Sequence, residues 1–316
     1  MNPQLLTIII CTYNRSRFLD LCLDSLTKQT IPNHQFRIIV VNNNSTDDTS
    51  EIVKKHIQSF DSLEEIIEKK TGLSIARNTG YKKSNTDWVA YLDDDAIAHE
   101  DWIEQIFYTI KHHDFKCFGG IYLPWYLDGK EKWFLDNYSS NKHFFKRKGI
   151  YSISTKKYIA GCNMVFELDS LKKSNGFPSE LGMSGKMIGY GEELYVQNKI
   201  RSMGYSLGIN TNLLIKHYVH SYKQNVQWFK SSYQIKGKTY WEGRKKTFLR
   251  LLIFTAQGII SVSYKYLSST AKLLMKGYYK ENFIIDTQTK YLLYSNAIKN
   301  YFLKEEDTNK ILKKGD

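Results

Sequence analysis

Three consecutive aspartates, Asp93, Asp94 and Asp95, give the strongest chemical signal in this 316-residue sequence. They follow a short apolar run, residues 88–92, whose pattern is typical of a buried strand. Adjacent carboxylates repel one another, so a fold concentrates them where a cation or a hydrogen-bonding ligand compensates. Magnesium and manganese take oxygen ligands, commonly one or two carboxylates together with substrate phosphates. We therefore expect a divalent-metal and phosphate site here; a solvated acidic loop is the alternative.

A second polar segment follows the apolar run at residues 5–11 and consists of Thr12, Tyr13, Asn14 and Arg15. Tyr13 offers an aromatic face to a nucleotide base, and Arg15 offers a cation to phosphate. An ordinary turn between a strand and a helix is the simpler interpretation of this segment on its own. We favour a nucleotide-binding turn because other polar segments also directly follow apolar runs that are predicted to be strands.

A third polar segment, residues 42–47, follows the apolar run at residues 36–41. Its Asn42, Asn44 and Asp47 supply amide and carboxylate groups that suit a base edge or ribose hydroxyls. Ligands of open α/β sheets bind beyond the carboxyl ends of the strands. We therefore expect the three segments to converge on one nucleotide.

A glycine-entered helix start at residues 72–80 adds a fourth feature. The N-terminus of a helix attracts phosphate, and Arg77 adds a positive charge close to it. This pattern predicts a phosphate contact through Arg77.

The elements that must position these residues alternate between short apolar runs and helix-period segments, which indicates a mixed, centrally parallel α/β sheet flanked by helices. Ser45 and Asp48 are expected to form a capping box for the helix that follows the second strand. Strands are predicted at residues 5–11, 36–41, 65–68, 88–92 and 160–167, and helices at residues 18–29, 74–84 and 189–203, with another carrying Ile52, Val53 and Ile57.

Composition limits the class of protein. Hydrophobic residues make up 42% and charged residues 24%, which excludes disordered and collagen-like chains. A formal net charge of +13 indicates polyanionic partners without choosing among nucleotide phosphates, anionic lipid and nucleic acid. The four cysteines lack a CxxC pair, so mostly buried thiols are expected rather than a zinc site or disulfides. The first apolar run leads straight into a polar segment and is interpreted as a strand, which favours a cytoplasmic protein.

The chain changes character near residue 221, where aromatic residues alternate with Lys and Arg. Residues 251–264 are apolar but fall short of the roughly 20 residues that a spanning helix needs. An interfacial amphipathic helix fits this pattern, and so does a basic helical hairpin packed on the catalytic domain. We predict a catalytic domain over residues 1–220, divided into a nucleotide-sugar half (1–125) and an acceptor half (126–220), and a basic helical region over residues 221–316.

Six segments taken together resemble the family 2 glycosyltransferases with the A-type nucleotide-diphospho-sugar-transferase fold. They occur in the order and at the spacing of that family over roughly residues 5–220. The segments are TYNR (12–15), VVNNNSTDDT (40–49), GLSIARNTG (72–80), YLDDDA (91–96), GCN (161–163) and GYGEE (189–193).

The resemblance implies roles for particular residues. Asp93 and Asp94 would contact the nucleotide sugar, Asp95 would ligate Mn²⁺ or Mg²⁺, and His217 would approach the metal, with His220 as a competitor. Asn42 stands where the family commonly has an aspartate, which leaves the base undetermined.

The resemblance also implies an acidic catalytic base at residues 192–193, where Glu193 matches better than Glu192. This base would take a proton from the acceptor hydroxyl as its oxygen attacks the anomeric carbon. Trp125, Trp133 and Asn163 are the candidates for binding the acceptor, although core packing explains the tryptophans equally well.

The resulting hypothesis is an inverting, metal-dependent transferase that moves a sugar from a nucleoside diphosphate to a hydroxyl during cell-surface polysaccharide or glycolipid synthesis. Its expected partners are the donor, a saccharide or lipid-linked acceptor and an anionic membrane surface at the inner face of the cell membrane, and not nucleic acid. Two alternatives are a nucleotidyltransferase that makes sugar nucleotides and a non-catalytic carbohydrate-binding relative. The sequence leaves the oligomeric state open.

Overall fold

The computed structural model describes residues 5–183, 191–241 and 246–302, which form two compact units. The first unit comprises Met1–Trp125 and Asp136–Tyr218, and the second comprises Tyr126–Leu135 and Val219–Asp316. Residues 126–135, expected in the acceptor half, are thus part of the second unit. The functional roles assigned to the two regions remain predictions.

The first unit alternates strands and helices, as its hydrophobic pattern predicts. The strands are β1 (Leu6–Thr12), β2 (Phe36–Asn42), β3 (Leu63–Ile67), β4 (Trp88–Leu92), β5 (Ala96–Ala98), β6 (Cys117–Trp125), β7 (Ile150–Ser152), β8 (Asn163–Glu167) and β9 (Leu207–Tyr218). The helices are α1 (Ser16–Thr27), α2 (Thr49–Ile57), α3 (Leu73–Lys83), α4 (Trp102–His112), α5 (Leu168–Lys173) and α6 (Glu192–Ser202). Single turns of 3₁₀ helix occur at Asn33–Gln35, Asp136–Ser139 and Lys142–Phe144.

The strands of the first unit form one sheet in the order β3-β2-β1-β4-β8-β6-β9-β5, with β7 paired to β9. β3, β2, β1 and β4 run parallel, whereas β8 is antiparallel to both β4 and β6. β6 and β9 are again parallel, and β5 and β7 pair with β9 in the antiparallel sense. The sheet is therefore mixed and centrally parallel, as expected.

Helices cover both faces of the sheet. Successive strand residues point to opposite faces and therefore pack against different helices. Ile8 and Ile10 belong to the cluster that includes residues of α1 and α4, whereas Ile9 belongs to the cluster that includes residues of α3, α5 and α6. Burial on both faces accounts for the near-continuous apolar runs in the sequence.

One local expectation is wrong. Asp48 is the N-cap of α2, but its side chain makes no capping hydrogen bond. Asp47 instead accepts a hydrogen bond from the Thr49 backbone N–H, and Ser45 Oγ accepts one from the Asn14 N–H. The capping box is absent because α2 begins at Thr49. Asp48 therefore occupies the N-cap position itself, and Ser45 lies three residues before it.

The second unit contains a 3₁₀ turn (Ser221–Lys223) and the helices α7 (Val226–Lys238), α8 (Phe248–Lys272) and α9 (Lys280–Tyr301). Its apolar centre includes Trp241, Leu251, Phe254 and Ala297, and the Trp241 indole N–H donates to the Ala297 carbonyl at 2.8 Å. None of the described helices combines the length and apolar character required to cross a bilayer.

Candidate active site

Two loops at the carboxyl ends of β1 and β2 are tied together by hydrogen bonds. Asn14 has a left-handed backbone (φ 52°), and its Oδ1 accepts from the Thr46 N–H at 2.7 Å. Asp47 Oδ2 accepts from the Ser16 N–H at 2.9 Å. Burial opposes ionisation of Asp47, but the hydrogen bonds from Thr49 and Ser16 outweigh it and lower its pKa. Asn14 and Asp47 thus hold the two loops together.

Side chains around these loops differ in what they can offer a ligand. Tyr13 is 44% exposed and presents a free aromatic face, and Asn44 is exposed in a left-handed conformation (φ 65°). Thr12 is buried and lies opposite Asn42 in the register of β1 and β2. Asn14 and Asp47 are exposed as well, but their side-chain oxygens already accept hydrogen bonds between the loops.

Asn42 is committed to contacts within the protein. Its Oδ1 accepts from the Ser45 N–H, and its Nδ2 donates to Glu65 Oε1 at 2.8 Å. Ser50 Oγ also donates to Glu65 Oε1, at 2.7 Å. Glu65, which was not predicted as a site residue, places a carboxylate beside Asn42, the position where the family commonly carries an aspartate. Its only signal in the sequence was a charged residue within the weakest predicted strand.

The three aspartates lie at the turn that follows β4, and a cation of the first loop contacts two of them. Arg15 Nη1 is 3.0 Å from Asp94 Oδ1 and 3.0 Å from Asp95 Oδ2. Burial and the repulsion from Asp95 and Asp93 raise the pKa of Asp94 to about 6, although Arg15 acts in the opposite direction. The loops after β1 and β4 therefore converge, as the strand-end argument predicted.

His217 reaches the same turn from β9. The antiparallel pairing of β5 and β9 places Ala96 opposite His217. His217 Nε2 lies 3.1 Å from Asp95 Oδ1 and 3.5 Å from Asp93 Oδ2. Burial acts against ionisation of Asp93, but His217 and Arg77 prevail and lower its pKa. His220, the alternative, lies in the second unit, where its ring stacks on Tyr222 at 5.2 Å.

The groups around His217 fit a divalent cation. Ligand atoms of Asp93, Cys162 and His217 lie within 4.8 Å of one another, and Asp95 approaches the same imidazole. Carboxylate oxygens and an imidazole nitrogen are suitable ligands for manganese and acceptable ones for magnesium. Burial raises the pKa of the Cys162 thiol well above its usual value, so the thiol keeps its proton. Asp93, which was expected to contact the nucleotide sugar, therefore joins Asp95 and His217 as a candidate metal ligand.

Arg77 lies between the aspartate turn and the start of α6. It is 3% exposed, with Nη1 2.8 Å from Glu192 Oε1 and Nη2 3.7 Å from Asp93 Oδ1. Gly161 leaves the space for this guanidinium, because a Cβ there would lie 2.7 Å from Arg77 Nη2. This placement differs from the phosphate contact expected from the sequence. Arg77 links two carboxylates instead.

Glu192 and Glu193 form the first turn of α6, after Gly191 in the left-handed conformation (φ 105°). Gly189 and Tyr190 of the same sequence segment lie outside the described residues. Glu192 is 5% exposed and is neutralised by Arg77. Burial and the negative charge of Glu192 raise the pKa of Glu193 to about 8, because one guanidinium does not compensate two neighbouring carboxylates. The pKa of Glu193 therefore lies much closer to neutral pH than that of an ordinary glutamate.

The three predicted acceptor residues occupy different surroundings. Trp125 is half-buried at the end of β6, and its ring packs edge-on against Tyr218 at 5.8 Å. Trp133 belongs to the second unit, where its ring contacts Phe134 and Phe229 and its carbonyl accepts from Asn282.

Asn163 does not suit the acceptor role that was expected. Its side chain is fully buried, its Oδ1 accepts from the Trp102 indole, and its Nδ2 donates to the carbonyls of Ile121 and Leu213. A buried amide with both ends engaged has a structural role across the sheet.

Comparison with known proteins identifies the family of this chain. A family model described as glycosyl transferase family 2 matches residues 7–174, which are more than half of the chain. The chain belongs to glycosyl transferase family 2. The resemblance based on the six sequence segments is therefore confirmed.

Two relatives from Haloferax volcanii show how far the similarity extends. The glycosyltransferase AglE is 29% identical over 202 residues, which are 64% of this chain and 62% of AglE. A glucosyl-dolichyl phosphate glucuronosyltransferase is 22% identical over 263 residues, covering 78% of this chain and 77% of that protein. The chain thus matches slightly less than two thirds of the length of AglE.

Solved structures of a mannosyltransferase and of TarS share the fold. The mannosyltransferase PcManGT from Pyrobaculum calidifontis, in complex with GDP-Man and Mn²⁺, superposes with a TM-score of 0.62 at 19% identity over 95% of this chain and 88% of that chain. Staphylococcus aureus TarS 1-349, in complex with UDP-GlcNAc, gives a TM-score of 0.54 at 15% identity over 98% of this chain and 92% of that chain. The expected A-type glycosyltransferase fold is confirmed.

The buried position of Arg77 leads to a prediction about stability. Arg77→Ala should lower the free energy of unfolding by about 3–5 kcal/mol, since it leaves Glu192 buried without its counter-charge. Lys28→Ala is the matched control, because it removes an exposed ion pair with Asp24 that is worth about 0–1 kcal/mol. Urea denaturation of both variants measures the difference. Equal losses for the two would show that the Arg77 pair is no stronger than a surface contact.

Proposed function

We propose that this protein is an inverting glycosyltransferase that uses a divalent metal to transfer a sugar from a nucleoside-diphosphate donor to an acceptor hydroxyl. The supporting observation is the contact of Arg77 with both Asp93 and Glu192. This contact links Asp93, a candidate metal ligand, to the residue that adjoins the candidate base Glu193, within one unit. Family membership and the fold shared with nucleotide-sugar complexes support the same reaction.

The donor site consists of the loops after β1, β2 and β4. Tyr13 stacks on or beside the base, and the exposed Asn44 meets the base edge or the ribose. Arg15 contacts Asp94 and Asp95, which places its positive charge at the diphosphate end of the site. A metal held by Asp93, Asp95 and His217 would neutralise the diphosphate as negative charge develops on the leaving group.

Glu193 is the general base in this proposal. Ionised, it accepts the proton of the acceptor hydroxyl while that oxygen attacks the anomeric carbon from the face opposite the diphosphate. Its raised pKa suits this task, because a base works best when its pKa lies near the working pH. Arg77 holds Glu192 and so fixes the start of α6, which positions Glu193.

The acceptor is a saccharide or a lipid-linked saccharide at the inner face of a membrane. Trp125 supplies an aromatic surface within the first unit on which an apolar sugar face can stack. Two relatives support this class of acceptor through their names: the glucosyl-dolichyl phosphate glucuronosyltransferase of Haloferax volcanii and the poly(ribitol-phosphate) β-N-acetylglucosaminyltransferase TarS of Staphylococcus aureus.

A thermal-shift screen tests the proposed donor. The protein is mixed with UDP-, GDP- and dTDP-sugars with and without Mn²⁺, and the best binder is then tested for hydrolysis and for transfer to saccharide acceptors. We expect one nucleotide class to raise the melting temperature in a metal-dependent manner. Absence of any metal-dependent stabilisation across the three classes would contradict the proposed reaction.

The raised pKa of Glu193 predicts how stability depends on pH. The folded state holds the Glu193 proton more tightly than the unfolded chain, so this contribution is complete below pH 4.5 and is lost as the pH rises towards about 8. Glu193→Gln should therefore gain stability relative to the wild type as the pH rises, on the order of 2–4 kcal/mol by pH 9. Melting temperatures of both proteins at pH 5 and pH 9, without metal, measure this change. A difference that does not vary with pH would show that Glu193 titrates normally.

A further inference from the structure

Helix α8 carries an exposed apolar stripe on the face opposite its packed side. Leu251, Phe254 and Gly258 are buried, and Gly258 lets α8 approach Tyr294 of α9 closely. The opposite face carries large apolar side chains that are each 50–72% exposed: Leu249, Leu252, Ile253, Ile259, Ile260, Tyr264 and Leu267. We call these seven residues the α8 stripe.

The α8 stripe is continuous along the helix. At 3.6 residues per turn, Leu249, Ile253, Ile260 and Leu267 fall close to one line, and the other three residues flank it. The helix is 25 residues long, or about 37 Å at 1.5 Å per residue. Leu274, which follows the helix, is 94% exposed and extends the apolar surface. An exposed surface of this extent is typical of an interaction site.

The charge around the stripe identifies its partner. Residues 243–280 contain no Asp or Glu. They contain eight cationic residues: Arg244, Lys245, Lys246, Arg250, Lys265, Lys272, Lys276 and Lys280. Lys246 and Arg250 are exposed at the start of α8, and Lys276 and Lys280 are exposed beyond its end. An apolar stripe with cations at both ends matches an anionic lipid surface, because lysine and arginine stems extend along the apolar layer and place their charges among the headgroups.

A second copy of the chain suits this surface less well. In a two-fold interface the same patch faces itself. Each end of the stripe would then meet cations of the other copy without acidic residues from segment 243–280 to balance them. Like charges placed opposite each other oppose association.

We propose that the α8 stripe binds the anionic surface of a lipid bilayer. The stripe enters the boundary between headgroups and acyl chains, and the flanking lysines and arginines contact lipid phosphates. The partner identified here goes beyond the transfer reaction, and its binding needs neither donor nor metal.

Vesicle flotation of the full chain tests the proposal, using phosphatidylcholine vesicles with and without phosphatidylglycerol. We expect association with the anionic vesicles that weakens as salt is raised. The double variant Ile260→Ser with Leu267→Ser should bind at least about tenfold more weakly. Its melting temperature should stay close to that of the wild type, because both side chains are already exposed.

The matched control is Ile57→Ser with Ile67→Ser, which removes two isoleucines of the first unit that are 47% and 51% exposed. This control should float like the wild type. A wild type that does not associate with anionic vesicles, or a stripe variant that floats as well as the control, would overturn the proposal. A dimer of the wild type that the stripe variant dissolves, with no vesicle binding, would assign the stripe to self-association and overturn it too. Because the assay contains no donor, its failure would leave the proposed transferase reaction intact.

Discussion

The Glu193→Gln variant is expected to bind the nucleotide sugar as tightly as the wild type and to transfer it about 10²–10⁴-fold more slowly. Gln keeps the size and polarity of Glu but does not accept the proton of the acceptor hydroxyl. Glu193 makes no contact with the candidate metal ligands in the described structure, so donor affinity should be preserved. Donor affinity from titration calorimetry, together with kcat at saturating donor and acceptor, separates the two effects.

Glu192→Gln is the decisive comparison for that prediction. Glu192 is paired with Arg77 at 2.8 Å, so its replacement removes a buried charge partner and should lower stability more than Glu193→Gln does. The folded fraction should retain measurable transfer. If Glu192→Gln is folded and inactive while Glu193→Gln remains active, the base is Glu192.

Asp95→Asn is expected to abolish the metal-dependent part of donor binding and to lower transfer by about 10³-fold or more. Asp95 is 2% exposed, and its Oδ1 lies 3.1 Å from His217 Nε2, so it faces the other candidate ligands directly. The amide keeps the shape of the side chain but removes the charge that attracts a cation. The measurement is the melting-temperature rise produced by the preferred nucleotide sugar with and without Mn²⁺.

The apo protein provides a control for misfolding. Asp95→Asn relieves repulsion among three carboxylates and weakens the contacts with Arg15 and His217. These two effects have opposite signs, so its melting temperature without ligands should stay close to that of the wild type. Asp24→Asn, an exposed carboxylate on α1, should leave the metal response unchanged. A normal metal-dependent response in Asp95→Asn would remove Asp95 from the metal site.

Replacement of Asp95 and replacement of Glu193 are expected to impair different steps. Loss of Asp95 should act on donor binding and therefore on every later step, whereas loss of Glu193 should act on the chemical step alone. Arg77 connects their surroundings through Asp93 and Glu192. The pair of variants therefore distinguishes a disrupted donor site from a missing base.

The sequence by itself determined the first half of the sheet and the place of the aspartates. Runs such as 36–41 and 88–92 predicted strands within about a residue of β2 and β4, because strands buried on both faces need continuous apolar residues. The rule that ligands bind beyond the carboxyl ends of strands then placed Arg15 beside the aspartates. These inferences depend on local patterns, which the sequence displays directly.

Tertiary structure alone decided the contacts that join distant segments. The antiparallel register of β5 and β9 selects His217, and the space above Gly161 directs Arg77 to Glu192 rather than to phosphate. Buried Asn163 makes hydrogen bonds across the sheet instead of the expected acceptor contact. The pairing of β2 with β3 places Glu65 beside Asn42. Strand register, burial and the space left by a missing side chain arise from pairing between residues far apart in the chain, and no local pattern in the sequence encodes them.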